Sequence, residues 1–260
     1  FNTLEFRQAV AYAINRPAML NTTFQGLGEL YNSSIYRQSP YYLPPTAGLP
    51  VYTYDRERAR ELLKQGGFQY NPQGQLADAD GNPVRFTLLT SADNRIRRAI
   101  ATQVQQDLSQ VGITVDLQFL DISALVAKLL GTLDWEAHIS HFVGGSVEPD
   151  SARNIWSVQG TFHIFNQDAA HGDPLKGRII QDWEQKISDL YIAGSQELDE
   201  AKRREIYAQI QTLAQNYLPV IYLIAPFAFS AIRNDIENIR FSGASWRLWN
   251  VYELKFKQAD

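Results

Sequence analysis

The chain has 260 residues, of which 45% are hydrophobic and 20% are charged, and its net charge is −4. This length and apolar content suit one large or two small globular domains and exclude a disordered protein. The mild acidity excludes a dedicated nucleic-acid binder, which would carry a basic surface. The lack of cysteine excludes disulfides, thiolate metal sites and cysteine nucleophiles. No run of 18 apolar residues marks a membrane span.

The first part of the chain predicts three helices and one long loop. Apolar residues at helical spacing predict a helix over residues 3–15, and Pro17 favours a second short helix directly behind it. Residues 38–54 hold four of the eleven prolines, which predicts an extended but ordered loop. Asp55 is a typical N-cap for the third helix, which ends at Gly66.

The middle of the chain predicts the central architecture. Residues 84–88 alternate between apolar and polar, residues 96–111 repeat at helical spacing, and residues 113–119 alternate again. Strand, helix and strand in this order predict a βαβ unit, in which two parallel strands are joined by a right-handed crossover. A helix near residues 122–130 and a strand near 134–142 extend the pattern. The fold class is therefore α/β, with helices flanking a mixed sheet.

The C-terminal part is predicted to be irregular at first and helical later. A short helix is expected near residues 150–158. Asp173, followed by proline, predicts the start of a helix that buries Ile179, and Asp199 predicts the start of the next helix. Two apolar runs on either side of a proline predict two core strands, over residues 220–224 and 227–232.

Polar loops follow the strands of the predicted parallel sheet. They contain Thr90, Ser91 and Asn94 after one strand, and Phe142 with two glycines after another. In open α/β sheets the ligand lies in the crevice at the carboxyl ends of the strands. Short polar groups, accessible backbone and an aromatic ring are typical of a small-molecule cleft, although polar loops also simply solvate strand ends.

Catalytic and metal-binding signals are weak. The sequence contains no HExxH, GxSxG, SxxK or P-loop motif. His138 and His141 are three residues apart on a predicted strand and therefore face opposite sides, so we predict neither a metal site nor a cofactor. Glu148 and Asp150 supply the two carboxylates that glycoside hydrolysis needs, and they are equally typical of a solvated helix start. A carbohydrate-processing enzyme that uses this pair is the alternative hypothesis.

Four segments resemble the extracellular solute-binding proteins of family 5, the oligopeptide- and dipeptide-type receptors of ABC importers. Arg7–Arg16 is similar to the family pattern RQAxxYAIDR, and residues 54–68 are similar to YDxxKAxxLLxxAGF. Residues 101–115 are similar to AxxIQxxLxxIGIxV, and residues 204–219 resemble a fourth motif of the family. The four segments follow one another in the family order along the whole chain.

The resemblance implies a lobe of a periplasmic-binding-protein type II fold. Full members have about twice this length and close two lobes on a ligand, which requires hinge motion and no catalysis. Residues 1–216 would form the C-terminal lobe, and residues 217–260 would return toward the other lobe. The implied partners are a small solute, peptide-like or sugar, and a membrane permease. We expect a monomer in the periplasmic or extracellular space. Whether a signal peptide or membrane anchor precedes the chain is not predicted. A scaffold domain that binds no ligand is a third hypothesis for the function, besides the receptor and the enzyme.

One departure from the family pattern concerns the ligand. In peptide-binding members an Asp four residues before a Pro pairs with the α-amine of the ligand, and an aromatic residue lies three positions earlier. Counting back from Pro149, these positions hold Gly145 and Phe142. Because an unpaired buried ammonium is costly, we expect a neutral ligand such as a sugar or a blocked peptide. The expected ligand contacts are Thr90, Ser91, Asn94, Phe142, Gly144, Gly145, Arg153 and Trp156.

Overall fold

The computed structural model describes residues 1–142, 147–168, 177–242 and 249–257. The helices are α1 (Leu4–Ala13), α2 (Arg16–Thr23), α3 (Arg56–Gln65), α4 (Arg95–Ser109), α5 (Ile122–Val126, continued as a π-helix over Ala127–Thr132), α6 (Arg153–Trp156), α7 (Asp182–Gln196) and α8 (Glu200–Tyr217). The strands are β1 (Gly28–Leu30), β2 (Gln69–Tyr70), β3 (Leu76–Ala77), β4 (Arg85–Ser91), β5 (Thr114–Leu120), β6 (Ala137–His138), β7 (Ile224–Pro226), β8 (Ile236–Glu237) and β9 (Lys255–Phe256). Short 3-10 turns cover Pro45–Ala47, Pro149–Ala152 and Val251–Glu253.

A three-stranded parallel sheet forms the centre of the lobe. Its strand order is β5-β4-β6, and α4 connects β4 to β5, so the predicted βαβ unit is confirmed. Gly112 makes the turn between α4 and β5 with a φ of +81°, and a Cβ there would lie 2.8 Å from the backbone nitrogen of Leu76. Only glycine fits this turn. The strand expected over residues 134–142 is shorter, because β6 pairs with β4 only at Leu88 and Leu89.

Helix α4 packs on this sheet, and α1 packs against both α3 and α4, so that the three helices and the sheet enclose the larger core. Phe6, Leu63 and Leu108 come from the three helices in turn and belong to one buried cluster with Phe86 of β4. The start of α3 is confirmed, since the side chain of Asp55 accepts a hydrogen bond from the backbone N–H of Arg58 at 2.9 Å. Local capping and apolar spacing therefore agree with the tertiary packing in this half of the chain.

A second, smaller core lies between α7 and α8. Tyr191 and Tyr207 are fully buried there, beside Trp156 of α6. The amide of Gln211 on α8 accepts from the hydroxyl of Ser33 at 2.7 Å and donates to the carbonyl of Tyr41 at 2.9 Å. These bonds attach the extended segment before α3 to the helical pair.

The predicted start of α7 is wrong. The helix begins at Asp182, and Ile179, which was expected to be buried on it, is 68% exposed. Asp173, the expected cap, lies outside the described residues. The helix begins at Asp182 and not nearer Asp173 because the carboxylate of Glu184 accepts a hydrogen bond from the backbone N–H of Gln181 at 3.1 Å. This bond satisfies a backbone donor at the observed helix N-terminus.

The two core strands predicted around Pro226 are also wrong. Only Ile224–Pro226 is a strand, β7, which pairs antiparallel with β1. Phe227 and Phe229 are 52% and 63% exposed, because this run lies on the surface of the lobe and not inside a core. No helix of the described part of the chain is both long and apolar enough to cross a membrane.

Candidate functional site

A broad cleft of about 2390 Å³ opens on one face of the lobe. Its walls come from the start of α1, the loop that precedes α4, the segment after β6, and the helix ends of α7 and α8. Apolar and aromatic side chains dominate the lining, and a few polar groups converge on it. This mixture is typical of sites that bind small molecules.

Three of the expected contact residues line this cleft: Asn94, Phe142 and Trp156. Asn94 caps α4, since its side-chain oxygen accepts from the backbone N–H of Arg97 at 3.0 Å. Phe142 is 53% exposed, so most of its ring is free to contact a solute. Trp156 is almost entirely buried and packs against Phe165 with the ring centroids 5.4 Å apart.

Thr90 and Ser91 are buried behind the cleft and are not among its lining residues. The Thr90 hydroxyl donates to the carbonyl of Ile139 at 3.0 Å, and the Ser91 hydroxyl accepts from Nη1 of Arg97 at 3.1 Å. Both residues belong to the end of β4, which lies between two other strands. Their hydroxyls therefore hold the neighbouring segment and α4 in position.

The remaining expected contacts lie elsewhere. Arg153 is exposed on α6, with Nε 3.7 Å from Oδ1 of Asp150, and it does not line the cleft. Gly144 and Gly145 lie outside the described residues.

The two carboxylates of the enzyme alternative both pair with arginines. Oε1 of Glu148 lies 2.5 Å from Nη2 of Arg203, and the same guanidinium donates to the hydroxyl of Tyr41 and the carbonyl of Gly194, both at 2.7 Å. Asp150 pairs with Arg153 as given above. Such pairing is typical of structural ion pairs and does not prepare one acid and one base.

The described histidines have separate environments. Burial lowers the pKa of His138 to about 4, and its ring packs edge-on against Trp135. Burial and the neighbouring Arg97 guanidinium lower the pKa of His141. His163 is fully buried and contacts Glu184, and His171 lies outside the described residues. No group of three His, Asp or Glu side chains that could hold a metal occurs in the described ranges.

An aromatic feature of the cleft was missed by the sequence reasoning. Phe165, Trp183 and Tyr217 line the cleft from three different segments and stack on one another. The spacing of the three residues along the chain carries no signal, because their stacking depends on how α7, α8 and the preceding loop pack.

Residues 1–162 match the family model described as "Bacterial extracellular solute-binding proteins, family 5 Middle". The chain belongs to this family. A probable ABC transporter-binding protein of Deinococcus radiodurans is 30% identical to this family 5 chain over 237 residues, which are 86% of this chain and 38% of that protein. The oligopeptide-binding protein AppA of Bacillus subtilis is 30% identical over 245 residues, 93% of this chain and 42% of AppA.

The structure of Bacillus subtilis AppA in complex with a nonapeptide is similar to this family 5 chain with a TM-score of 0.79 at 23% identity. The match covers 99% of this chain and 48% of that one. The fold is that of a type II periplasmic binding protein, so the predicted fold class and family are confirmed. The chain spans less than half the length of the relatives it matches. The names of these relatives are those of an ABC transporter-binding protein and an oligopeptide-binding protein.

Proposed function

We propose that this chain is the C-terminal lobe of a solute-binding receptor of an ABC importer. The receptor captures a small solute, peptide-like or sugar, between two lobes and delivers it to a membrane permease. The observation that carries the proposal is the open cleft of about 2390 Å³, lined by aromatic and short polar groups, on a chain less than half the length of its relatives. A cleft that one lobe leaves open is completed when a second lobe closes over it.

The proposed direct contacts are Asn94, Phe142 and Trp156, together with Gly144 and Gly145, which lie outside the described residues. Phe142 is the strongest of these, because its exposed ring can cover an apolar face of the solute. Thr90 and Ser91 support the site indirectly, because their hydroxyls hold the segment after β6 and the start of α4 in position. Arg153 does not line the cleft and pairs with Asp150, so it is left out of the proposed direct contacts.

The proposed ligand is neutral. Gly145 occupies the position where the family resemblance expects a carboxylate for an amine. Glu148, the nearest acid that could replace it, is in an ion pair with Arg203. Burying an uncharged polar group without a hydrogen-bond partner costs roughly 2–7 kcal/mol, and burying an unpaired ammonium costs more. A sugar or an N-blocked peptide avoids this cost.

Residues 217–260 are proposed to return to the other lobe of a monomeric receptor in the periplasmic or extracellular space. This proposal rests on the exposed rings of Phe227 and Phe229, which follow directly after β7. Exposed apolar surface that forms a contiguous patch often marks an interaction site.

The test is isothermal titration of the full-length protein with free-amine peptides, N-acetylated peptides and oligosaccharides. We expect binding that Phe142→Ala weakens about tenfold, while Phe119→Ala, the same change at an exposed ring outside the cleft, leaves it unchanged. The full-length protein should bind at least about 100-fold more tightly than residues 1–260 alone, roughly 3 kcal/mol. Equal affinities would contradict the two-lobed cleft, and a clear preference for free over acetylated amines would contradict the neutral ligand.

A further inference from the structure

Three aromatic rings that line the cleft form a stack, here called the aromatic wall, in which Trp183 contacts both Phe165 and Tyr217. The ring centroids of Trp183 and Tyr217 are 5.2 Å apart with an interplanar angle of 11°, and those of Phe165 and Trp183 are 6.0 Å apart with an angle of 25°. All three rings are only partly buried, and all line the cleft. The ring edges and faces that the stacking leaves uncovered are therefore available to a solute in the cleft.

One buried carboxylate sets the geometry of the wall. Glu184, with 3% of its side chain exposed, accepts from Nε2 of His163 at 3.1 Å and from Nδ2 of Asn166 at 2.7 Å. Phe165 lies between these two donors in sequence, and Trp183 directly precedes Glu184. The same carboxylate thus fastens both segments that carry the first two rings, so the rings are ordered before any ligand arrives.

Charged groups next to the wall are engaged in bonds within the protein. Nε of Arg7 donates to the carbonyl of Tyr217 at 2.7 Å, and its Nη1 donates to carbonyls of the first three residues. Nη2 of Arg178 donates to the carbonyls of Asn166 at 2.8 Å and Val158 at 3.1 Å. Both guanidiniums line the cleft and keep their positive charge, but the N–H groups named here are already bonded to backbone carbonyls, so the wall itself offers ring surface.

We propose that the aromatic wall is a binding subsite for an uncharged flat face of the solute. The ligand chemistry is that of C–H or ring groups stacking on aromatic rings, and a sugar ring and an aromatic peptide side chain both supply it. Stacked rings held in place lose little conformational freedom on binding, so the contact favours affinity. The inference rests on the proposed function, since it deepens the description of the same cleft.

The test uses the full-length protein and three neutral probes: cellotriose, N-acetyl-Ala-Phe-Ala-amide and N-acetyl-Ala-Ala-Ala-amide. We expect one of the first two to bind at least about tenfold more tightly than the alanine peptide, and which one it is distinguishes a sugar from an aromatic side chain. Trp183→Leu and Tyr217→Leu should each abolish this preference, whereas Trp183→Phe should retain most of it. Trp249→Leu is the matched control, because Trp249 is outside the cleft.

Two results separate the possible failures. If the wild-type protein prefers a ring-bearing probe and both leucine variants keep that preference while melting like the wild type, the aromatic wall is not a subsite and the receptor function stands. Equal binding of the alanine peptide and the ring-bearing probes would overturn the subsite in the same way. If the wild-type protein binds none of the three probes up to millimolar concentration, the proposed function fails, and the subsite fails with it.

Discussion

Glu184→Gln removes the negative charge of a buried carboxylate in the wall of the cleft. Glu184 accepts hydrogen bonds from His163, from Asn166 and from the backbone of Gln181. A glutamine of the same shape has one oxygen and one NH₂ group, so at least one of these donors would face another donor. Hydrogen bonds to charged groups contribute roughly 1.5–3 kcal/mol each, and an unsatisfied buried group costs about 1–3 kcal/mol. We expect a loss of about 2–4 kcal/mol in the free energy of unfolding at pH 7.

The pH dependence of this loss has a definite sign. Burial raises the pKa of Glu184, but the hydrogen bonds from His163, Asn166 and Gln181 outweigh burial and hold the pKa below its ordinary value. The charge therefore stabilises the fold fully above the unfolded-state pKa, about 4.3, and this contribution is lost as the pH falls through the lower folded-state pKa. The difference in the free energy of unfolding between the wild type and Glu184→Gln should be largest near neutral pH and should decrease below about pH 4.

Urea unfolding followed by circular dichroism at pH 7 and at several lower pH values measures both effects. For a chain of this size the expected loss corresponds to a drop of roughly 4–16 °C in melting temperature. Glu205→Gln is the matched control, because Glu205 is exposed on α8 and the same change there should stay within about 0.5 kcal/mol. If Glu184→Gln lowers the free energy of unfolding by less than about 0.5 kcal/mol at pH 7, or by an amount that does not change with pH, the reasoning is refuted.

Three further predictions concern stability. Arg16 is buried and donates to three backbone carbonyls, so Arg16→Met should cost at least about 3 kcal/mol in guanidinium unfolding, and a cost below 1 kcal/mol would contradict this. Leu63→Ala in the larger core should lower the free energy of unfolding by about 2–5 kcal/mol. Leu198→Ala, at a side chain that is 97% exposed, should leave it almost unchanged, and equal losses for the two variants would contradict the prediction. EDTA should leave the melting temperature unchanged, because His138 packs on Trp135 while His141 contacts Arg97; a drop of several degrees that one divalent metal restores would overturn this.

Much of the larger core was predictable from local sequence. The N-cap at Asp55 and the apolar repeats of α1 and α4 act over four residues or fewer, so their patterns predict helices wherever those helices pack. The alternation in β4 and β5, with a helix between them, predicts a parallel pair because topology allows few other arrangements. Asn94 and Phe142 could be proposed as cleft residues for the same reason, since both follow strands of one parallel sheet.

Tertiary packing alone decided the features that sequence patterns misjudged. Thr90 and Ser91 have the composition of ligand contacts, but neighbouring strands and Arg97 bury their hydroxyls. The apolar run at Phe227 has the pattern of a core strand and lies on the surface, because apolar spacing cannot distinguish a core from an exposed face. The aromatic wall was not predicted, since its rings come from segments up to 52 residues apart and meet through the packing of α7 on α8 and the hydrogen bonds of Glu184 to the segment before α7. Contacts between distant segments depend on how whole elements dock, and no local pattern records that.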